Sequence, residues 1–167
     1  MLFKNHLPCA VAAMGIIGLF SIGCKKSSNS ISPNSAFSAI VDDTTFTPAT
    51  NGTVGVYTSS GKQFDVYSYL LRSKDTVSLD ISIFEPFTVN QPIDPTANAS
   101  SILYYDFTGE PFFNGVGRGK TTITVTSLDT VNHKIAGTFS GNLYENNGSG
   151  DSVIVTNGTF NTAYLVQ

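Results

Sequence analysis

The 167-residue sequence predicts an all-β fold, an antiparallel β-sandwich or flattened barrel of about nine to ten strands. Three observations lead there. From about residue 36 onward, apolar and polar residues alternate with period two, which puts one face of each segment in a core and the other in water. The alternating runs are separated by clusters of Gly, Asn, Ser and Asp, which tolerate the positive φ of hairpin turns. No segment carries apolar residues at helical spacing over three turns.

The elements follow in order. "KQFDVYSYLL" (62–71) sets Phe64, Val66 and Leu70 against Asp65, Tyr67 and Tyr69. "TVSLDISIF" (76–84) alternates most cleanly, with Val77, Leu79, Ile81 and Ile83 on one side and Ser78, Asp80 and Ser82 on the other. "TTITVTSL" (121–128) places Ile123 and Val125 opposite three threonines. In "KIAGTFSGNLY" (134–144), Gly137 and Gly141 lie between Ile135, Phe139 and Leu143, where a strand bends or a neighbouring backbone comes close. The last run, "SVIVTNGTFNTAYLV" (152–166), reads as broken at Asn157-Gly158. Turn chemistry at 59–62, 129–134 and 146–151 separates the runs. Residues 86–100 hold three prolines and read as a loop over one end of the sheet.

The amino-terminal residues follow a different logic. "MLFKNH" is short and basic, and "LPCAVAAMGIIGLFSIG" (7–23) is uncharged and ends in small residues, the layout of a cleaved signal. At 17 residues the apolar run is also near the lower limit for a retained membrane helix, one alternative reading, and Ser21-Ile22-Gly23 would pass as an ordinary cleavage site of a simple secreted protein, the other. Gly23 is followed by Cys24, and this junction resembles the lipobox of bacterial lipoproteins, with Ser21 where that family usually has Leu. The resemblance implies cleavage between Gly23 and Cys24 and a diacylglyceryl group on the Cys24 thiol. The expected organisation is a signal peptide (1–23), a lipidated cysteine with a flexible Ser/Asn/Pro tether (24–35) and a single all-β domain (36–167).

Composition narrows the partners. Cleavage removes Cys9, so no intramolecular disulfide partner remains for Cys24. Nine Lys plus Arg against twelve Asp plus Glu, with no basic block beyond Lys25-Lys26, argue against nucleic acid. The two lysines suit lipid headgroups, where each adds about 1 kcal/mol on anionic lipid. The membrane, reached through the lipid, is the first partner expected, with an envelope protein, a glycan or a small apolar ligand as the others. Lys25, rather than the Asp that commonly retains lipoproteins at the inner membrane, favours the outer membrane. The absence of acidic residues in "KKSSNS" favours its periplasmic face.

Both ends of the domain carry a second resemblance. "FSAIVDDTTF" (37–46) and the series "ITVTSLD", "IAGTFS" and "TNGTF" (123–160) look like motifs of small bacterial envelope lipoproteins grouped as domains of unknown function. That resemblance implies an envelope β-domain and transfers no catalytic residue. The middle third of the chain is outside it.

Chemistry-bearing constellations are few. "GVGRGKT" (115–121) is one residue short of a P-loop and precedes a strand instead of a helix. After cleavage His133 is the only histidine, in a polar turn, so neither a hydrolytic triad nor a usual zinc site can be assembled. "ENNGSGD" (145–151) lacks the acid spacing of a calcium loop and reads as a hairpin turn. No catalytic residue, metal site or cofactor is expected. The aromatics of 102–115 (Tyr104, Tyr105, Phe107, Phe112, Phe113) read as core, or as the lining of a calycin-like barrel for a small hydrophobic ligand. One surface combination remains, Asp65, Tyr67, Tyr69 and Asp80, which adjacent strands would bring into a single patch. Acids beside aromatic rings suit glycan binding or, with the right separation, glycan cleavage. The sequence as a whole points to a non-catalytic binding or structural domain of the cell envelope, its partner an envelope protein, a glycan or a small apolar ligand.

Overall fold

The structure, a computed structural model, describes residues 35–49, 51–71, 75–114, 120–145 and 150–167. Signal peptide, Cys24 and nearly all of the expected tether lie outside these residues. Ser35, assigned to that tether, is described, and its hydroxyl is 2.9 Å from the Thr162 hydroxyl.

Eleven strands are present among the described residues, with one helical turn. They are β1 (Ala36–Val41), β2 (Thr44–Phe46), β3 (Thr53–Thr58), β4 (Gln63–Leu71), β5 (Thr76–Phe84), β6 (Pro92–Ile93), α1 (Pro95–Asn98), β7 (Ser101–Tyr105), β8 (Pro111–Phe113), β9 (Thr121–Asp129), β10 (Lys134–Glu145) and β11 (Ser152–Val166). The excess over nine or ten lies in two- and three-residue strands such as β2, β6 and β8. Those are too short for period two to show in a sequence.

The strands form one eleven-stranded sheet, ordered β2-β1-β11-β3-β4-β5-β7-β8-β10-β9-β6. The further β11–β10 pairing closes it on itself, so that it folds into two layers, β2-β1-β11-β10-β9-β6 and β3-β4-β5-β7-β8. Two corners join them. The carboxyl end of β11 pairs with β3 at Tyr164↔Gly55, and the carboxyl end of β10 pairs with β8 at Tyr144↔Phe113. The fold is therefore a sandwich closed into a flattened barrel at two corners. Every described pairing is antiparallel except β3 with β11, which is parallel. At that corner Gly55 is required, because a Cβ there would lie 2.6 Å from the Ala163 carbonyl oxygen.

Inward-facing residues of both layers fill the interior. Val66, Leu79, Ile81, Ile83, Ile102 and Ile123 are completely buried. Each such side chain contributes roughly 1.5–3 kcal/mol relative to exposure. Phe64 anchors the β3 corner, its ring 4.4 Å from Tyr57 and 5.1 Å from Tyr164.

Two expectations need correction. β11 does not break at Asn157-Gly158; it runs unbroken, with a β-bulge that sets Thr156 and Asn157 opposite Ser140 and puts Asn157 at φ 50°. Asparagine tolerates that conformation, so the turn signal there marks a kink within a strand. Residues 86–100 are not wholly irregular either. They cross from β5 to the far edge of the other layer, add β6 against β9, and return through α1. Asn98 Nδ2 donates to the Phe84 carbonyl and the Phe84 N–H donates to Ser100 Oγ, which ties the return to β5.

Candidate functional site

The β4 alternation sends Phe64, Val66, Ser68 and Leu70 to the core and leaves Asp65, Tyr67 and Tyr69 on the opposite, outer face. β5 does the same, with Ser78, Asp80 and Ser82 outward. Antiparallel register then fixes the neighbours. Tyr67 lies directly opposite Asp80, Asp65 opposite Ser82, and Tyr69 opposite Ser78. β7 extends the rows, with Leu103 beside Asp80 and Tyr105 beside Ser78. All four residues singled out in the sequence thus share one sheet face.

Their environments differ. Tyr67 and Tyr69 are 44% and 38% exposed, whereas Asp65 is only 5% exposed and so is not the wet surface acid that its alternation suggests. Its Oδ1 accepts from Gln63 Nε2 at 2.7 Å and from Ser82 Oγ at 2.6 Å, and neutral donors hold the carboxylate in place. Asp80 is half-buried and its carboxyl is pushed up to about 6, mainly by burial, with the Asp65 charge adding and a hydrogen bond to the Ser68 backbone opposing. Burial also raises the Tyr67 phenol, and the charges of Asp65 and Asp80 add to that. The site is a fixed buried acid, a half-buried acid that ionises at higher pH than an ordinary carboxyl, and two open phenol rings.

The sequence reading missed Gln63 and Ser82, although both are in phase with the acids they flank. It also missed Leu103 and Tyr105, whose place depends on β7 pairing with β5 after the long excursion through β6 and α1.

The other sequence candidates take structural positions. His133 closes the β9–β10 turn at φ 51°, and its ring stacks on Tyr164 at 5.3 Å and 9°. Asp129 accepts from the Val131 and Asn132 N–H groups of that turn, and these bonds, led by the Asn132 side chain, lower its carboxyl. Residues 115–119 of the P-loop-like stretch lie outside the described residues. Before them Asn114 accepts from the Ile102 N–H at 2.6 Å, and the stretch leads into strand β9. Of the calcium-loop-like stretch, Glu145 N–H donates to the Asp151 carbonyl at 3.0 Å, while 146–149 lie outside. No group of three or more His, Cys, Asp or Glu side chains able to hold a metal occurs among the described residues.

The 102–115 aromatics do not gather at a mouth. Phe112 is buried, Tyr104 packs against the core, Phe107 is exposed in the β7–β8 turn, and Tyr105 and Phe113 belong to the outer rows. A cleft of about 170 Å³ beside Val41, Phe46, Val77 and Tyr104 is smaller than the roughly 300 Å³ at which small-molecule sites begin. A wider concavity of about 570 Å³ surrounds the β11 bulge, lined by Thr122, Thr138, Ser140, Thr156, Asn157 and Thr159 among others. It offers hydroxyl and amide groups without a charged side chain.

No family model, curated protein or solved structure matches this chain.

Proposed function

We propose that this chain is a small envelope lipoprotein of the kind its terminal motifs resemble, anchored through Cys24 to the periplasmic face of the outer membrane. Its β-domain acts as a non-catalytic binding module, with the outer face of β4, β5 and β7 as the binding surface. One observation carries the reading: the exposed Tyr67 ring stands across from Asp80, beside a second acid held by two short hydrogen bonds. Folding gains nothing from a half-buried carboxyl whose ionised form is disfavoured, and such groups concentrate at functional sites.

Asp65 and Asp80 project from one sheet face on neighbouring strands, two positions out of register. Glycoside hydrolysis needs carboxyls on either side of a scissile bond, so this placement supports binding over cleavage. A core filled by side chains likewise favours a surface partner over a ligand carried inside a calycin-like barrel. Glycan binding is the second reading, supported by open tyrosine rings beside carboxylates.

The test is a photo-crosslinking residue placed at Tyr69 or, as control, at Thr138 on the opposite layer, in living cells. Adducts formed from position 69 and not from 138 are expected. Adducts from 138 alone, or from neither position, would reject this face as the binding surface.

A further inference from the structure

We infer that the acid–tyrosine face docks a positively charged segment of a protein partner, with lysine or arginine side chains seated over Tyr67 and Tyr69 and Asp80 as their counter-ion. The inference rests on the reading of this face as a binding surface and adds the chemistry of its occupant.

Charge comes first. On the described outer positions of β3, β4, β5, β7 and β8, the formal charges are Asp65 and Asp80. The described cations lie elsewhere. Lys62 is in the β3–β4 turn, Lys120 precedes β9, and Lys134 opens β10 beside Asp129. A surface with two acids and no cation among its described residues complements a basic partner.

Ring chemistry agrees. A tyrosine face attracts ammonium and guanidinium groups, more so where the site is partly dry. Tyr67 and Tyr69 are open enough to be covered, and Leu103 and Tyr105 extend the apolar part of the platform. Tyrosine supplies contact area with little rotamer entropy to lose, which suits an interface between proteins.

Shape selects the size of the occupant. The described clefts are lined by other residues, and none includes Asp65, Tyr67, Tyr69 or Asp80. A polypeptide can lie across the three strands of this face.

Asp65 is the positioning residue. Gln63 and Ser82 fix it, and its charge raises the Asp80 carboxyl. An arriving cation reverses that pressure by favouring the ionised form.

The experiment uses the full chain purified from membranes in detergent, with tetralysine and the neutral oligosaccharide chitotetraose as probes. Affinity is read by calorimetry, and contact by the ring resonances of Tyr67 and Tyr69. Tetralysine is expected to bind, shift both rings and weaken as salt rises, with Tyr67→Ala and Asp80→Asn each losing about fivefold in affinity. Thermal unfolding of each variant separates lost binding from lost fold. Chitotetraose shifting the rings while tetralysine does not would overturn the cationic occupant and leave the surface standing. Ring resonances unmoved by either probe would overturn both, as would tetralysine binding that the two substitutions leave unchanged.

Discussion

Phe160 lies over Gly137, the residue directly opposite it on the neighbouring strand, and Phe139 lies over Gly158 in the same way. The two strands exchange a ring for a hydrogen atom twice, two positions apart. The rings themselves stand 6.4 Å centre to centre at 32°. A glycine within a strand normally weakens it, and covering it with a cross-strand aromatic ring restores the lost packing. Both rings also enter the main core, so this pairing fixes the β10–β11 register through the bulge at Thr156-Asn157.

Gly137→Ala is therefore expected to destabilise, although alanine is the better strand residue by roughly 0.5–1 kcal/mol. The added methyl would overlap the Phe160 ring and the Thr124 carbonyl. Overpacking of that kind costs about 1–3 kcal/mol, more than the propensity gain. Urea unfolding measures it; an unchanged or higher midpoint would show that the ring moves aside freely.

Asp80 sets a pH dependence whose sign can be worked out. Its folded carboxyl is at about 6 against an ordinary 3.8. Between those values the folded state keeps a proton that the unfolded chain has released, so this group's contribution falls as pH rises from about 4 to 6. The full penalty remains at pH 7, about 2 kcal/mol after allowance for solvent at a half-buried group. Asp80→Asn should remove it, raising stability at pH 7 while leaving pH 4 almost unchanged. Denaturation at the two pH values decides, and a variant less stable at pH 7 contradicts the assignment.

Period two made most of this fold legible. The faces of β4 and β5 are where the alternation puts them, and so the four patch residues meet. Layer membership was not legible, because a strand's pattern says which face is dry and not which strand lies beside it. Leu103 and Tyr105 entered the site through a pairing that spans the whole β6–α1 excursion. Burial of Asp65 was hidden for another reason: an outward acid reads as solvated unless its covering partners, Gln63 and Ser82, are known. Asn157-Gly158 misled because one turn signal serves hairpins and bulges alike.

Asp65 and Ser82 should be energetically coupled. Removing the carboxylate takes the acceptor from the Ser82 hydroxyl and the Gln63 amide, both half-buried, at a cost of about 1 kcal/mol. Ser82→Ala alone removes one donor of the two. A double-mutant cycle of Asp65→Ala with Ser82→Ala is expected to give about 1 kcal/mol of interaction. A value near zero would mean that the 2.6 Å bond contributes nothing beyond what water supplies.

The anchor can be tested apart from the fold. One acyl chain holds a protein to a bilayer only marginally, while each buried methylene adds about 0.8 kcal/mol, so a cysteine with several chains holds firmly without a spanning helix. If Cys24 is lipidated, the mature chain begins at residue 24 with the mass of the acyl groups added. Wild type then sediments with membranes, and Cys24→Ala does not yield that species. The β-domain should melt alike in both proteins, since Cys24 lies eleven residues before Ser35, where the described structure begins. Intact mass and fractionation read both points together. An unmodified start at any residue, or membrane retention with residues 1–23 still attached, would replace the lipid by secretion or by a helical anchor. It would leave the acid–tyrosine face unaffected, because that surface depends on strand register and not on how the chain reaches the membrane.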